Sequence, residues 1–144
     1  MNLITYVIIG FLLLEVANVL ALYFAPDSIL ANSMGVFKAW EKSKQDPELH
    51  DLVRYLVNWV AGTKLIFILL VVVILISADD QPLVLTGIAL VISISSFFWR
   101  LFPLIRKMDQ EDQIDPKNYS AVLGWMILAF ILIFIVAILL SIYK

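Results

Sequence analysis

The sequence predicts an all-α membrane protein in which residues 1–144 form a single bundle of four transmembrane helices. Hydrophobic residues make up 62% of the 144-residue chain and charged residues 15%, against about 45–50% and about 25% in soluble domains. The apolar residues fall into four continuous stretches, each long enough to cross a hydrocarbon core of about 30 Å as a helix. These runs lack the alternation of polar and apolar residues that is typical of barrel strands.

The predicted helices cover residues 3–24, 52–77, 82–106 and 119–143. The first stretch has no basic segment before it and no small-residue cleavage site after it, so we expect a retained helix rather than a removed signal peptide. The fourth has no charge between Lys117 and Lys144. It can face hydrocarbon without penalty, so we expect it at the periphery of the bundle, packing through Gly124.

Basic residues distinguish the three connections between these helices. The first and third connections carry Lys38, Lys42, Lys44, Lys107 and Lys117, and the second carries no basic residue. Lysine and arginine mark cytoplasmic loops. We therefore predict that the first and third connections are cytoplasmic and that both termini lie outside, in a protein of the cell inner membrane. Lys144 opposes this orientation.

The first connection contains a segment with helical patterning at residues 35–44. Wound as a helix, it places Val36, Phe37 and Trp40 on one side and Lys38 and Lys42 on the other. This pattern fits a short helix that lies in the membrane interface; an ordinary ordered loop is the alternative.

Two Asp-Pro pairs precede membrane helices, at Asp46-Pro47 and Asp115-Pro116. Aspartate as the N-cap and proline as the first helical residue are a signature of a helix start. We expect these pairs to begin the second and fourth helices, which hints at two related hairpins.

Three charges lie well inside the apolar runs: Glu15, Lys64 and Arg100. A charge at the centre of a membrane helix costs about 2.5–3.5 kcal/mol and usually faces a partner, a cavity or water. We expect Glu15 and at least one of the two cations to share a polar site. The other cation then has to reach the interface, lose its charge, or meet an anionic ligand such as a lipid phosphate or a substrate carboxylate.

Helical spacing adds further polar residues to this predicted site. Residues three or four apart share a helix face, which places Asn18 beside Glu15, Asn58 beside Arg54, and Ser96 near Arg100. The candidate residues for binding a substrate or ion are Glu15, Asn18, Asn58, Lys64, Ser96 and Arg100. The alternatives are that the amides and hydroxyls only hold helices together, that Lys64 is a purely structural partner, and that Arg100 extends to the headgroups.

The composition also excludes several kinds of chemistry. The chain has no cysteine and a single histidine, His50, which we expect to be a solvated loop residue. Thiolate chemistry and a membrane haem with two histidine ligands are therefore excluded, and no cluster has metal-ligand spacing. We predict no catalytic residues, no cofactor and no metal. The net charge of −2 gives no basis for binding nucleic acid.

The segment LLLEVANVLALYF around Glu15 resembles the first helix of the small multidrug resistance transporters, which also place a glutamate in mid-helix. Those proteins have short loops throughout, whereas this chain has a long charged first connection. Their function is therefore not carried over, and no family is assigned.

Three classes of function fit these observations. We favour a small carrier or channel for an ion or small molecule, which we expect to be a homo-oligomer. The second class is a structural or regulatory subunit of a larger membrane complex. The third is a protein that binds or modifies membrane lipids.

Overall fold

The computed structural model describes residues 2–143, apart from the side chain of Asp80. Lys144, which opposed the predicted orientation, lies outside this range. The described residues are helical and contain no strand. The helices are α1 (Leu3–Phe24), α2 (Lys38–Ser43), α3 (Pro47–Ser77), α4 (Asp80–Ser95), α5 (Phe97–Gln110) and α6 (Tyr119–Ile142), with a 3₁₀ turn at Met34–Val36.

Four helices are long and apolar enough to cross a membrane: α1, α3, the continuous pair α4–α5, and α6. The prediction of four such helices is confirmed. With 22 residues, α1 extends about 33 Å at 1.5 Å per residue. The 31 residues of α3 extend about 46 Å, because this helix begins at Pro47 rather than near residue 52.

The third predicted helix is divided in two at Ser96. The Ser96 hydroxyl donates a hydrogen bond to the Ser93 carbonyl over 2.6 Å, and serine hydroxyls bonded back to the helix often bend it. The chain then continues to Gln110 rather than ending near residue 106. Helix α4 packs mainly on α6 and also contacts α1 and α3, whereas the main partner of α5 is α6.

The first Asp-Pro pair begins a helix as predicted. The Asp46 side chain accepts a hydrogen bond from the Leu49 amide over 3.2 Å, and Pro47 is the first residue of α3.

The second Asp-Pro pair does not begin a helix, so that prediction is wrong. Helix α6 begins at Tyr119, after Asn118 in a left-handed conformation. Its cap comes from the end of α5. The Asp109 carboxylate accepts hydrogen bonds from the amides of Asn118 and Ser120, over 3.0 and 2.9 Å, and from the Ser120 hydroxyl over 2.6 Å. These bonds satisfy amides that a helix start leaves free, which makes the second pair unnecessary as a cap.

The prediction of a peripheral fourth helix is also wrong. Helix α6 packs against α1, α4 and α5, and its Phe134 has no exposed surface. The absence of charged residues in α6 permits this helix to contact lipid, but it equally permits the helix to pack against other helices. Packing through Gly124 is confirmed, since a Cβ there would lie 2.7 Å from the Phe102 ring.

The first and third connections lie at the same end of the bundle and pack together. We call residues 25–46 and 111–118 the loop cap. Phe37 and Ile114 form an antiparallel bridge, with hydrogen bonds from Lys38 N to Gln113 O and from Asp115 N to Val36 O over 3.0 and 2.9 Å.

The predicted helix in the first connection is present as α2. Its neighbour Val36 is completely buried and Trp40 is 3% exposed. The apolar side of this segment therefore contacts the rest of the protein, because the third connection and α3 cover it.

Candidate functional site

An ion pair joins α1 and α3 in the middle of the bundle. The Nζ of Lys64 lies 2.8 Å from Oε2 of Glu15 and 2.7 Å from Oδ1 of Asn18. The Glu15 and Lys64 side chains are 21% and 30% exposed, so solvent screens them less than it would a surface pair. The structure thus brings together three of the six candidate residues.

The pair lies in the seam where α1 packs on α3. Lys64 belongs to a series of α3 residues spaced alternately by four and three, and Glu15 and Asn18 belong to a similar series on α1. The other residues of the α3 series are Val57, Ala61, Ile68 and Val71, and those of the α1 series are Ile4, Ile8, Phe11 and Leu22, all buried. This alternating spacing forms the contact line between two nearly antiparallel helices. Polar groups on that line need partners across it, since burial without hydrogen bonds is costly.

Asn18 connects the ion pair to the loop cap. Its Nδ2 donates hydrogen bonds to the backbone carbonyls of Ala31 and Asn32. Both acceptors have positive φ, at 53° and 54°, which side chains other than glycine adopt infrequently. The Tyr119 hydroxyl donates to Oδ1 of Asn32 over 2.6 Å. One network therefore runs from α3 through α1 and the cap to the start of α6.

Asn58 does not belong to this site. It is exposed and lines a small cavity of about 50 Å³ between α1 and α3, together with Arg54, Tyr23 and Trp40. The contact line on α3 passes through Val57 rather than Asn58. The face that Arg54 and Asn58 share therefore points away from the ion pair.

Two cavities meet at the ion pair. The first, of about 300 Å³, lies between α1 and α6 beneath residues 29–32; we call it the α1–α6 cavity. The second, of about 480 Å³, lies between the ion pair and the junction of α4 with α5; we call it the α5 cavity. Glu15 and Lys64 line both cavities, together with Phe11, Ile127 and Phe130.

Arg100 and Ser96 line the α5 cavity on the side opposite the ion pair. Both are exposed. The Arg100 guanidinium lies 5.2 Å from the centre of the Trp99 ring, and within residues 2–143 it forms neither an ion pair nor a side-chain hydrogen bond. The two residues therefore share a cavity with Glu15 and Lys64 without bonding to them directly.

Aromatic packing closes the bundle on the side away from the loop cap. Phe11, one helical turn from Glu15, contacts Phe67, Phe130 and Phe134 edge-on, with ring centres 5.7–6.3 Å apart. Edge-to-face pairs of this kind are well-packed arrangements. The cavities thus lie on the loop-cap side of the polar site, and packed aromatic rings lie on the other side.

Ion pairs connect side chains on the exposed surface of the loop cap. Asp27 accepts hydrogen bonds from Lys44 Nζ and Trp40 Nε1, each over 2.6 Å, and these bonds lower the pKa of its carboxyl. Lys38 Nζ lies 3.0 Å from Asp112, and this contact, with the charge of Lys117, lowers the pKa of Asp112. The carboxylates of Asp27 and Asp112 are therefore stabilised in their charged form.

His50 is not a solvated loop residue as predicted. It lies in the first turn of α3 and is half-buried, with Nδ1 2.9 Å from the Ser43 hydroxyl and its ring 4.9 Å from that of Trp40. The early start of α3 brings it beneath α2. Over the described part of the chain, no group of three histidine, cysteine, aspartate or glutamate side chains is placed to hold a metal ion.

No spacing or motif in the sequence indicates that Asn32 and Tyr119 belong to this network, because their contact depends on how two distant loops fold. Lys64 is different, since its alternating spacing with Ala61 and Ile68 is visible in the sequence and places it on the seam. Comparisons with known protein families, with curated proteins and with solved structures find no match to this chain.

Proposed function

We propose that this protein is an integral membrane protein with four spans. The outward side chains of its long helices are largely apolar; on α3, Ile66, Leu70 and Val73 are 63%, 61% and 61% exposed. Continuous apolar surfaces of this kind favour contact with lipid over water. Exposed tyrosine and tryptophan side chains, which are typical of membrane interfaces, lie near both ends: Tyr55, Trp59, Trp99 and Trp125 toward the loop cap, and Tyr6 and Tyr143 at the other end.

The orientation that we propose places the loop cap in the cytoplasm and both termini outside, in the cell inner membrane. It rests on the lysines of the cap, since both basic connections lie at one end of the bundle. Reporter fusions after Lys144 and at Gln45 test it. Activity of a cytoplasm-only reporter after Lys144 would reverse the orientation.

Within that membrane, the function that the geometry supports best is a carrier for an ion or small molecule. The observation that carries this proposal is the position of the Glu15–Lys64 pair, which lines two cavities on one side and is closed by packed aromatic rings on the other. A carrier needs a binding site near mid-membrane that opens to one side at a time. Here the two cavities lie on the loop-cap side of the pair, and the packed rings occupy the opposite side.

The chemistry of the pair suits coupling to a proton or another ion. Protonation of Glu15 removes the charge that Lys64 now contacts, and a competing cation that binds Glu15 displaces Lys64 from that charge. The free ammonium then needs another partner, which Asn18 provides only in part. Loss of the contact between Glu15 and Lys64 therefore changes the hydrogen bonds of Asn18, and through them the loop cap.

The test measures proton flux into liposomes that contain the purified protein and an internal pH-sensitive dye, under an imposed potassium gradient with valinomycin. Three proteins are compared: wild type, Glu15→Gln, and the double variant Glu15→Gln/Lys64→Met. The single variant leaves Lys64 without its carboxylate and is expected to be less stable. The double variant removes both charges and is expected to recover stability, because replacing both members of a buried pair is often neutral.

A functional pair predicts that flux is lost in both variants, including the stable double variant. Asn58→Ala serves as the matched control, because this exposed residue lies outside the cavities that flank the pair; its flux is expected to equal that of wild type. Flux in the double variant equal to that of wild type would contradict the proposal, as would wild-type flux no greater than that of protein-free liposomes.

A further inference from the structure

The α5 cavity has an excess of positive charge. Two cationic side chains, Lys64 and Arg100, and one carboxylate, Glu15, line it. Glu15 already accepts a hydrogen bond from Lys64 over 2.8 Å, so its charge is compensated. Arg100 has no such partner among the described residues.

Trp99 does not neutralise Arg100. A cation above an aromatic ring gains only a small stabilisation at an exposed site, and the guanidinium keeps its full charge and its N–H donors. An arginine inside a membrane-spanning segment usually has a partner or reaches water. Its position in a cavity wall provides room for a partner that is not part of the chain.

The remaining walls of the cavity are mainly apolar. They are formed by Phe11, Ile94, Phe97, Leu101, Ile127 and Phe130, with Ser93 and Ser96 beside Arg100. Leu101 is 56% exposed, and α5 packs mainly on α6 rather than on α3. The cavity therefore opens sideways between α3 and α5, toward the surface that faces lipid in the proposed membrane.

We propose that the α5 cavity binds an amphiphile with one anionic headgroup, a phosphate or a carboxylate, and an apolar tail. Its headgroup lies between Arg100 and Lys64, and its tail follows Phe97 and Leu101 toward lipid. Arginine suits this role because its planar donors match the oxygens of both groups. The volume of about 480 Å³ lies within the range of about 300–1,000 Å³ that is common for small-molecule sites. The inference names a ligand class for the proposed carrier site and rests on the proposed membrane placement.

The test measures binding to the full chain in nanodiscs of neutral phosphatidylcholine, by titration with native mass spectrometry. Dodecyl phosphate is the main probe, and dodecyltrimethylammonium and inorganic phosphate are the comparisons. We expect saturable binding of dodecyl phosphate and none of the other two. Arg100→Gln is expected to weaken binding roughly tenfold or more, since charge-assisted hydrogen bonds are lost, and Arg100→Lys is expected to retain part of it.

Arg106→Gln is the matched control. This exposed arginine lies on the same helix but lines a different groove, between α5 and α6. Its variant is expected to bind dodecyl phosphate like wild type. Equal losses in the two arginine variants would show attraction to general surface charge and overturn the inference, as would equal binding of the cationic amphiphile by wild type.

Two further comparisons identify the source of the ligand and separate this inference from the carrier proposal. Tighter binding of dioleoyl phosphatidate than of dodecyl phosphate supports a membrane lipid, and the reverse order supports a single-chain amphiphile. If the protein binds dodecyl phosphate through Arg100 but shows no proton flux, the ligand site proposed here is supported and the carrier proposal is rejected. Flux without such binding would retain the carrier and reject this ligand class.

Discussion

The half of the bundle beside the loop cap differs from the opposite half in how its helices are held together. In the far half, Ile4, Ile8, Phe134 and Ala137 have no exposed surface, and a Cβ on Gly87 would lie 2.8 Å from the Ile4 side chain. In the loop half the helices separate around two cavities, and hydrogen bonds through Asn18 connect them to the cap. The comparison indicates that apolar packing alone stabilises the far half, whereas the loop half combines a buried apolar cluster with hydrogen bonds beside the two cavities.

The largest effect is expected in the packed half, from Phe134→Ala. Replacing a buried phenylalanine by alanine typically costs about 3–5 kcal/mol in soluble proteins. We expect about 3 kcal/mol here, because the ring contacts Phe11 and its loss leaves a cavity. Unfolding in mixed micelles with increasing dodecyl sulfate measures the change. Phe24→Ala is the control, since this ring is 81% exposed; a similar loss in both variants would contradict the contrast between the halves.

The next effect is expected in the loop half, from Asn18→Ala. The change removes hydrogen bonds to Lys64, Ala31 and Asn32, each worth about 0.5–1.5 kcal/mol, so we expect a loss of about 2 kcal/mol. Because the acceptors belong to the cap, amide hydrogen exchange should increase in residues 31–36 more than in α6. A uniform increase over the whole protein would argue against a local connection.

A smaller effect is expected from Asp109→Ala. Loss of a capping side chain typically costs about 1 kcal/mol, and the first turn of α6 should exchange its amide hydrogens faster. Asp115→Ala is the matched control, because Asp115 belongs to the Asp-Pro pair that does not cap α6. Equal effects of the two substitutions on that turn would show that Asp109 is not its cap.

The smallest effect is expected from pH. Hydrogen bonds from Lys44 and Trp40 lower the pKa of Asp27, and the contact with Lys38 lowers that of Asp112, below the ordinary value of 3.8. The stabilisation is therefore fully present above about pH 3.8 and is lost as the pH falls through the lower folded values. Both carboxylates are well exposed, so solvent screening keeps the effect small.

Hydrogen exchange of the cap, corrected for the intrinsic rate at each pH, measures this loss. A variant with Lys38→Gln and Lys44→Gln is expected to show a weaker pH dependence than wild type. An unchanged dependence would assign the effect to other groups.

The sequence predicts the helices better than their arrangement. Helix α1 has the predicted bounds, since a continuous apolar run needs a helix in any apolar surrounding. The break at Ser96 coincides with one hydroxyl bond, and the packing of α6 against three helices involves the shapes of Gly124 and Phe134. Neither follows from hydrophobicity.

In the candidate site as well, the sequence predicts some contacts and not others. Glu15 and Asn18 share a face by their spacing alone, and their contact with Lys64 follows from the seam between α1 and α3. The spacing of Asn58 from Arg54 does not mark the inner face of α3, because the buried face of this helix passes through Val57 and Ala61. The contacts of Asn18 with Ala31 and Asn32 depend on two left-handed residues in a loop, for which local sequence gives no reliable signal.

In the proposed membrane placement, the ion pair between α1 and α3 also bears on how the chain is inserted. An isolated α1 would carry Glu15 into hydrocarbon without a partner, at a cost of about 2.5–3.5 kcal/mol. Its partner Lys64 is synthesised 49 positions later, after the whole of residues 25–46. Stable integration of α1 is therefore expected to wait for α3, so that the two helices leave the translocon as a hairpin, and a nascent chain that stops before Lys64 should remain extractable at alkaline pH.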